Sequence, residues 1–469
     1  MKRIILFAVL LLVVFSGWCQ LQIPKEEVRE ISSPRYIQRT MHLLATSTPE
    51  NPNNVNILVY GQSLSAQDWW LEVKNHLAQE FPQANLNMIN KAIGGFSSQI
   101  LIKTVERDIL DYYPDLVIFH VFGSDVKYEE VLKKMRSLTS AEVLIWNDPQ
   151  NKVPKSEWNT QMSYEKVPAL AAKYNCSFID LRTPIQEMVE QKDLVYADEF
   201  TKDGTHFNDK GCSLIASHII PHLVYDEKYL PDPNNLCTIF EARKDFNGKN
   251  GEIELPFEGN RVDIITSANW NEKLSCKVYI DGKKPSDFQG AYNYSRPNDN
   301  GASGWIWSVA APVRIRHKKP WVNETFTLTF DSINYETRFF TFHVEGSKSG
   351  FEGYGNNRED FLSNSGRVFI EANEVHDSIT GDWHVFRNYD VLGFKIEPGY
   401  QTTWETYLMG LDEFIPENPG NGKGEKITTL VKGIPNGKHV LKLKCTNGNA
   451  SGISKIRIYK PFLSSNQEK

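Results

Sequence analysis

The chain lacks any long basic run: its 52 lysines and arginines are scattered among 58 aspartates and glutamates, for a net charge of −6. Without a basic stripe there is no electrostatic footprint for nucleic acid or an anionic membrane surface. Cysteine is scarce too, with six in 469 residues at spacings that repeat no metal-ligand pattern. That excludes a disulfide framework and a zinc site as organising devices. A single bridge such as Cys212–Cys237 stays open, with most of the other thiols buried. Beyond the first 20 residues no apolar run is long enough to span a bilayer, so no transmembrane anchor is expected. The one such run, Ile4 to Phe15, follows Met1-Lys2-Arg3 and precedes Ser16-Gly17-Trp18-Cys19. This layout reads as a secretory signal peptide over 1–19, leaving Gln20 first in a soluble, exported (secreted or periplasmic) protein. Lipidation at Cys19 is the alternative, though Trp18 is bulky where such a signal wants a small residue.

What is present divides the chain in two. Residues 20–53 read as a polar, irregular N-terminal extension. From Val55 apolar strands alternate with amphipathic helices up to about residue 230. The strands begin at Val55, Leu86, Asp115, Val143 and Ser177, and the closing helix runs from Asp209 to about Val224. Five strands alternating with helices predict an open three-layer α/β domain over 54–230 with a parallel sheet. After Pro231-Asp232-Pro233-Asn234-Asn235 the helical periodicity all but vanishes and short alternating strands recur. Glu345-Gly346-Ser347-Lys348-Ser349-Gly350, followed by Gly353 and Gly355, reads as a glycine-rich linker. The expectation is two β-sandwiches over 237–350 and 351–465, or one larger β domain.

The chemistry centres on Val55-Asn56-Ile57-Leu58-Val59-Tyr60-Gly61-Gln62-Ser63, a strand that stops in a Gly-Gln-Ser turn. It puts the Ser63 hydroxyl at the carboxyl edge of the sheet, beside the next helix, where α/β proteins place their sites. A serine there is a nucleophile only with a base and an orienting carboxylate. Asp203-Gly204-Thr205-His206, on a tight turn after the last strand, can present both from one loop. Gly94-Gly95, after the second strand, allows backbone N–H groups to face an anionic oxygen. Gly123-Ser124-Asp125 follows the third strand on the same edge. No set of His, Cys, Asp or Glu has metal-ligand spacing, and no cofactor is called for.

Four loops in this order resemble the SGNH hydrolase superfamily, or GDSL-type esterases, over about Asn54 to Leu223. Gly61-Gln62-Ser63 is similar to the first block in its carbohydrate-esterase form, Gly95 to the second, and Asp203-x-x-His206 to the last. The resemblance implies a flavodoxin-like core in which Ser63 attacks an acyl carbonyl, His206 is general base and then acid, and Asp203 orients His206. It also implies an oxyanion hole from the Ser63 and Gly95 backbone N–H groups. The third block departs: the family has Gly-x-Asn, and here Asp125 stands where the Asn donor belongs. An ionised carboxylate has no proton to give. Ser124 is then the substitute donor, or Asp125 points away or is held protonated.

The β segments resemble the accessory jelly-roll modules of polysaccharide-degrading enzymes. Together these imply an esterase removing O-acetyl or other short acyl groups from a polysaccharide or oligosaccharide. Gln62, Trp69 and Ser124 are the expected substrate-binding residues, and Trp70, Trp305, Trp307, Trp383 and Trp404 are further surfaces for a sugar ring. Two alternatives remain: a glycoside hydrolase using Asp125 or Asp203, and a non-catalytic glycan-binding protein on a degraded scaffold.

Overall fold

A computed structural model of the chain describes residues 25–149, 156–248, 251–266, 275–298, 312–373, 381–416, 426–446, 450 and 452–464. The expected signal peptide, Trp305 and Trp307 lie outside the described residues. Among the described residues no helix is long and apolar enough to cross a membrane.

In chain order the first unit runs α1 (Lys25–Ile31), α2 (Gln38–Ala45), β1 (Asn54–Gly61), α3 (Trp69–Glu80), β2 (Asn85–Asn90), α4 (Ser98–Leu101), α5 (Val105–Tyr112) and β3 (Leu116–His120). It continues with α6 (Asp125–Leu138), β4 (Glu142–Trp146), α7 (Glu157–Gln161), α8 (Val167–Lys173), β5 (Ser177–Ile179), α9 (Arg182–Gln191), α10 (Tyr196–Phe200) and α11 (Asp209–Ile219). The strands pair in parallel in the order β2-β1-β3-β4-β5, the flavodoxin-like arrangement. Because strand side chains alternate, β1, β3 and β4 feed two cores. Leu58, Tyr60, Val117, Phe119, Val143 and Ile145 face one layer of helices. Ile57, Val59, Leu116, Ile118, Leu144 and Trp146 face the other. The expected three-layer domain is the one found.

Two local expectations fail for physical reasons. The segment expected to be an irregular extension is partly helical: Ile37, Met41 and Leu44 are buried at helical spacing in the second core. The buried Glu142 carboxylate accepts from the Arg39 and Thr40 N–H groups at 2.9 and 2.8 Å, capping the start of α2. Arg39 Nη1 also meets Asp115 at 3.0 Å. Burial pushes the Glu142 carboxyl up to about 7 despite Arg39. Between β2 and β3, where the alternation of strands and helices predicts one helix, the chain forms two, α4 and α5. The Thr104 hydroxyl takes the Leu101 carbonyl at 3.1 Å, offering that acceptor a partner outside the helix ladder.

The β region is not two sandwiches in tandem. It runs β6 (Cys237–Glu241), β7 (Glu252–Thr266), β8 (Cys276–Ile280), β9 (Tyr292–Tyr294), β10 (Arg316–His317), β11 (Glu324–Asn334), β12 (Phe339–Gly346) and β13 (Gly350–Asn356). Then follow β14 (Phe361–Leu362), β15 (Val368–Ile370), α12 (Val385–Leu392), β16 (Gln401–Leu408), β17 (Glu413–Phe414), β18 (Lys426–Cys445) and β19 (Ile453–Tyr459). One six-stranded sheet, β17-β8-β18-β7-β19-β6, joins the start of the region to its end. The sheets β13-β12-β11-β16-β9 and β10-β15-β14 come from the residues between. The middle unit is thus inserted into the outer one. Met409 N–H donates to the Ala291 carbonyl at 2.6 Å, so the chain leaves and re-enters the host at neighbouring points.

The expected boundary at 350/351 falls inside a hairpin, since β12 pairs with β13 from Thr341↔Asn356 to Gly346↔Gly350. Gly355, taken for part of a linker, serves packing instead. A Cβ on Gly355 would sit 2.6 Å from the Phe342 ring. The suggested Cys212–Cys237 bridge is not formed, and both thiols are free. The disulfide is Cys276–Cys445, between facing residues of β8 and β18.

The insert is held to the first unit by buried charge. Arg296 meets Asp108 through Nε and Nη2 at 2.9 and 2.7 Å. Arg107 lies 3.3 Å from the same carboxylate, and the Tyr60 hydroxyl donates to it at 3.0 Å. Burial raises the Asp108 pKa, but Arg296 and Arg107 more than reverse this and hold the carboxyl well below its usual range. Its contribution to stability is therefore complete above the unfolded value near 3.9 and is lost as the pH falls below it. Arg296→Met strips one partner from a buried carboxylate and is expected to cost about 3 kcal/mol at pH 7. Urea unfolding of the two proteins, with the difference shrinking below about pH 3, checks it.

Candidate active site

The turn after β1 depends on one close approach. Gly61 pairs with His120 at the end of β3, and a Cβ at Gly61 would lie 1.8 Å from the His120 carbonyl oxygen. With φ at +143° the position also disfavours any side chain. That same carbonyl accepts from Gln62 N–H at 3.3 Å and from the Ser65 hydroxyl at 3.0 Å. The turn is thereby fixed, and Ser63 stands at the edge of the sheet.

His206 reaches it from the loop between α10 and α11. Its Nε2 lies 3.0 Å from Ser63 Oγ, and its Nδ1 lies 2.7 Å from Asp203 Oδ2. The other Asp203 oxygen accepts from the Thr205 and His206 N–H groups at 2.9 and 2.8 Å. The ring hydrogen bond from His206 and these backbone donors hold the Asp203 carboxyl down at about 2. An ionised Asp203 accepts Nδ1–H and so leaves the Nε2 lone pair facing the serine. The loop is closed on itself by Lys202 N–H to the His206 carbonyl (2.7 Å) and Gly204 N–H to Thr201 Oγ1 (2.8 Å). Ser63, His206 and Asp203, proposed from sequence spacing, are thus brought together in hydrogen-bonding order.

Three supports escaped the sequence reading. Gln67 clamps the two loops: its Oε1 accepts from Phe207 N–H at 2.9 Å and its Nε2 donates to the Phe207 carbonyl at 3.2 Å. Asn90 donates to the Ser65 carbonyl at 2.8 Å and accepts from Ala92 N–H at 2.9 Å, tying the second loop to the first. Beneath them the His120 ring stacks on Trp146 at 4.0 Å, with Nε2 3.0 Å from Asp148. A histidine ending an otherwise apolar buried strand was the available signal for the last. For Gln67 and Asn90 no local pattern marks the role.

Gly95 has φ +73°, and its carbonyl accepts from Arg387 at 2.9 Å. The third loop is welded to the second: Ser98 N–H donates to the Phe122 carbonyl at 2.8 Å and Ser124 N–H to Gln99 Oε1 at 3.2 Å. Ser124 is the N-cap of α6, its hydroxyl accepting from Lys127 N–H at 3.4 Å. Asp125 is the first residue of that helix, bonded to Val126 N–H and 3.6 Å from Lys166. An acceptor-only group settles at a helix N-terminus, where the dipole favours it. Neither side chain hydrogen-bonds to the Ser63 turn: both Asp125 and Ser124 are engaged at the start of α6.

Gln62 is half-buried beside Ser63. Trp69 is not a sugar surface: it is fully buried, donates to the Leu64 carbonyl at 2.8 Å and packs edge-on against Trp146. Trp383 and Trp404 are core residues of the insert for the same reason, while Trp70 is partly exposed. Among the described residues no group of three or more His, Cys, Asp or Glu could hold a metal ion.

No family model and no curated protein matches the chain. Solved structures do. A two-domain esterase active on acetylated mannans is 15% identical with TM-score 0.35, over 92% of this chain and 96% of that one. A GDSL-like lipase from Parabacteroides merdae is 14% identical with TM-score 0.32, over 38% of this chain and 98% of its own. An acetylxylan esterase from Geobacillus stearothermophilus, in a catalytic-mutant form, gives 14%, 0.32, and again 38% and 98%. At these identities the likeness does not reach the reaction or the substrate.

Because Asp125 serves the helix start, Asp125→Asn is expected to change turnover at Ser63 by less than about threefold. A steady-state comparison with a short-chain aryl ester checks it, and a rise of about 10² would return Asp125 to the oxyanion side.

Proposed function

We propose that the protein is a carbohydrate esterase that removes O-acetyl or other short acyl groups from a polysaccharide by a Ser-His-Asp mechanism. The observation that carries the proposal is the unbroken relay from Asp203 through His206 to Ser63, with contacts of 2.7 and 3.0 Å. Ser63 Oγ attacks the ester carbonyl carbon while its proton passes to His206 Nε2. The tetrahedral oxyanion is met by the Ser63 and Gly95 backbone N–H groups, each such donor being worth about 10²–10³ in rate. His206 then protonates the departing sugar hydroxyl and leaves an acyl-serine. Water, deprotonated by His206, attacks that acyl carbon, releases the carboxylic acid and restores Ser63.

The polysaccharide part rests on the Gly-Gln-Ser form of the first block and on the β units beside the core. Both His206 and Asp203 keep about half of their side chains exposed, at 41% and 53%, which suits a substituent presented on a polymer. We keep export as part of the reading, on the N-terminal pattern. The glycosidase alternative needs two available carboxylates, yet both oxygens of Asp203 are engaged by its own loop and Asp125 belongs to α6. A purely binding role leaves the aligned serine and histidine without a purpose.

On acetylated polysaccharides, Ser63→Ala is expected to abolish acetate release, with glycan binding retained. Acetate measured enzymatically at wild-type rate from the variant would end the serine mechanism. Asp203→Asn, which removes the charge that sets the His206 tautomer, is expected to lower kcat by roughly 10²–10⁴ with a small change in KM.

A further inference from the structure

The third loop leaves the oxyanion side short of a group. Ser124 is spent on a helix cap and Asp125 carries a negative charge that is 44% exposed beside Lys166. Helix α12 of the inserted unit lies against the second loop. The His384 ring meets the Phe96 ring edge-on at 5.8 Å, and Lys103 Nζ donates to the Gly381 carbonyl just before that helix. Arg387, 292 residues from Gly95, donates from Nη2 to the Gly95 carbonyl at 2.9 Å.

The electrostatics of Arg387 are unusual. Its Nη1 is buried with no acceptor among the described residues, and no described carboxylate pairs with it. Burial alone lowers the guanidinium pKa, with no neighbouring charge to support it. Arg387 is half-buried, and a guanidinium drawn partly out of water without a counter-ion is best accommodated where a negative charge develops near it. The loop it touches, through the Gly95 carbonyl, is the one whose backbone N–H is assigned to the oxyanion in the proposed reaction.

We propose that Arg387 is a positioning residue for acyl transfer at Ser63: the inserted β unit reaches back to fix the Gly95 loop and sets a positive charge beside it, in place of the missing third-loop donor. The proposal rests on the serine-esterase reading. It makes the catalytic unit incomplete without the insert.

The test compares Arg387→Met, Arg387→Lys and Arg387→Gln in the full-length protein, with thermal unfolding to confirm that each is folded. Lys keeps the charge and Gln keeps a donor. Met and Gln are expected to lose about 10–10² in kcat with KM within about threefold, and Lys to recover about tenfold of that loss. The second-order rate at which a fluorophosphonate labels Ser63 should fall in parallel. All three variants within about twofold of wild type, or a change in KM alone, would overturn the proposal. Amide exchange over residues 92–98 gives an arm independent of turnover, rising in the Met variant if Arg387 fixes the loop. Should Ser63→Ala turn over like wild type, the esterase reading fails by itself, and unchanged exchange would then also remove Arg387 from the loop.

Discussion

The backbone carbonyl of His120 is the contact on which the geometry of the site depends. It ends the central strand β3, and nothing larger than hydrogen at Gly61 can pass it. The chain must therefore turn at that point, and Gln62 and Ser65 both bond to the oxygen that forces the turn. A serine held two residues beyond a rigid strand needs no ordering when substrate arrives. The loop of His206 is then referred to the same frame through Gln67, so the serine and the histidine share one reference point. Preorganisation of this kind is what the proposed reaction at Ser63 would draw on.

A second layer of constraint is electrostatic. Asp108 and Asp111 on α5 take partners from the β region: Arg296 on the first, Tyr407 and Lys432 on the second. The Asp108 carboxylate, costly to bury singly, is buried together with Arg296, and such pairing favours one orientation of the units over others. The β region is thus attached along the helix that follows the Gly95 loop, which explains how α12 comes to lie on that loop.

Much of the first unit was legible in the sequence because its determinants are local. Apolar strands at regular spacing, a glycine before a serine, and Asp and His three apart on a tight turn each carry their meaning within a few residues. What could not be read is non-local. Periodicity marks β8 and β18 as strands but does not say that they are neighbours across the whole insert. The glycines of 345–355 carry the composition of a linker, and for Gly355 it is the rings of Phe342 and Phe361 on either side that exclude a side chain. Trp69 sits on an amphipathic helix whose buried face depends on Trp146, in a different strand. Gln67 and Arg387 bear no signal, since their partners are a backbone group and a loop far away in sequence.

The neighbouring ends of the insert, joined by the bond from Met409 to Ala291, bear on how such a protein could change over time. A unit whose entrance and exit touch can be gained, lost or exchanged as a cassette, because the host sheet closes behind it without a gap. Here the cassette carries Arg387. Exchanging it would therefore alter what lies against the Gly95 loop while leaving every residue of the Ser63 turn and the His206 loop as it was.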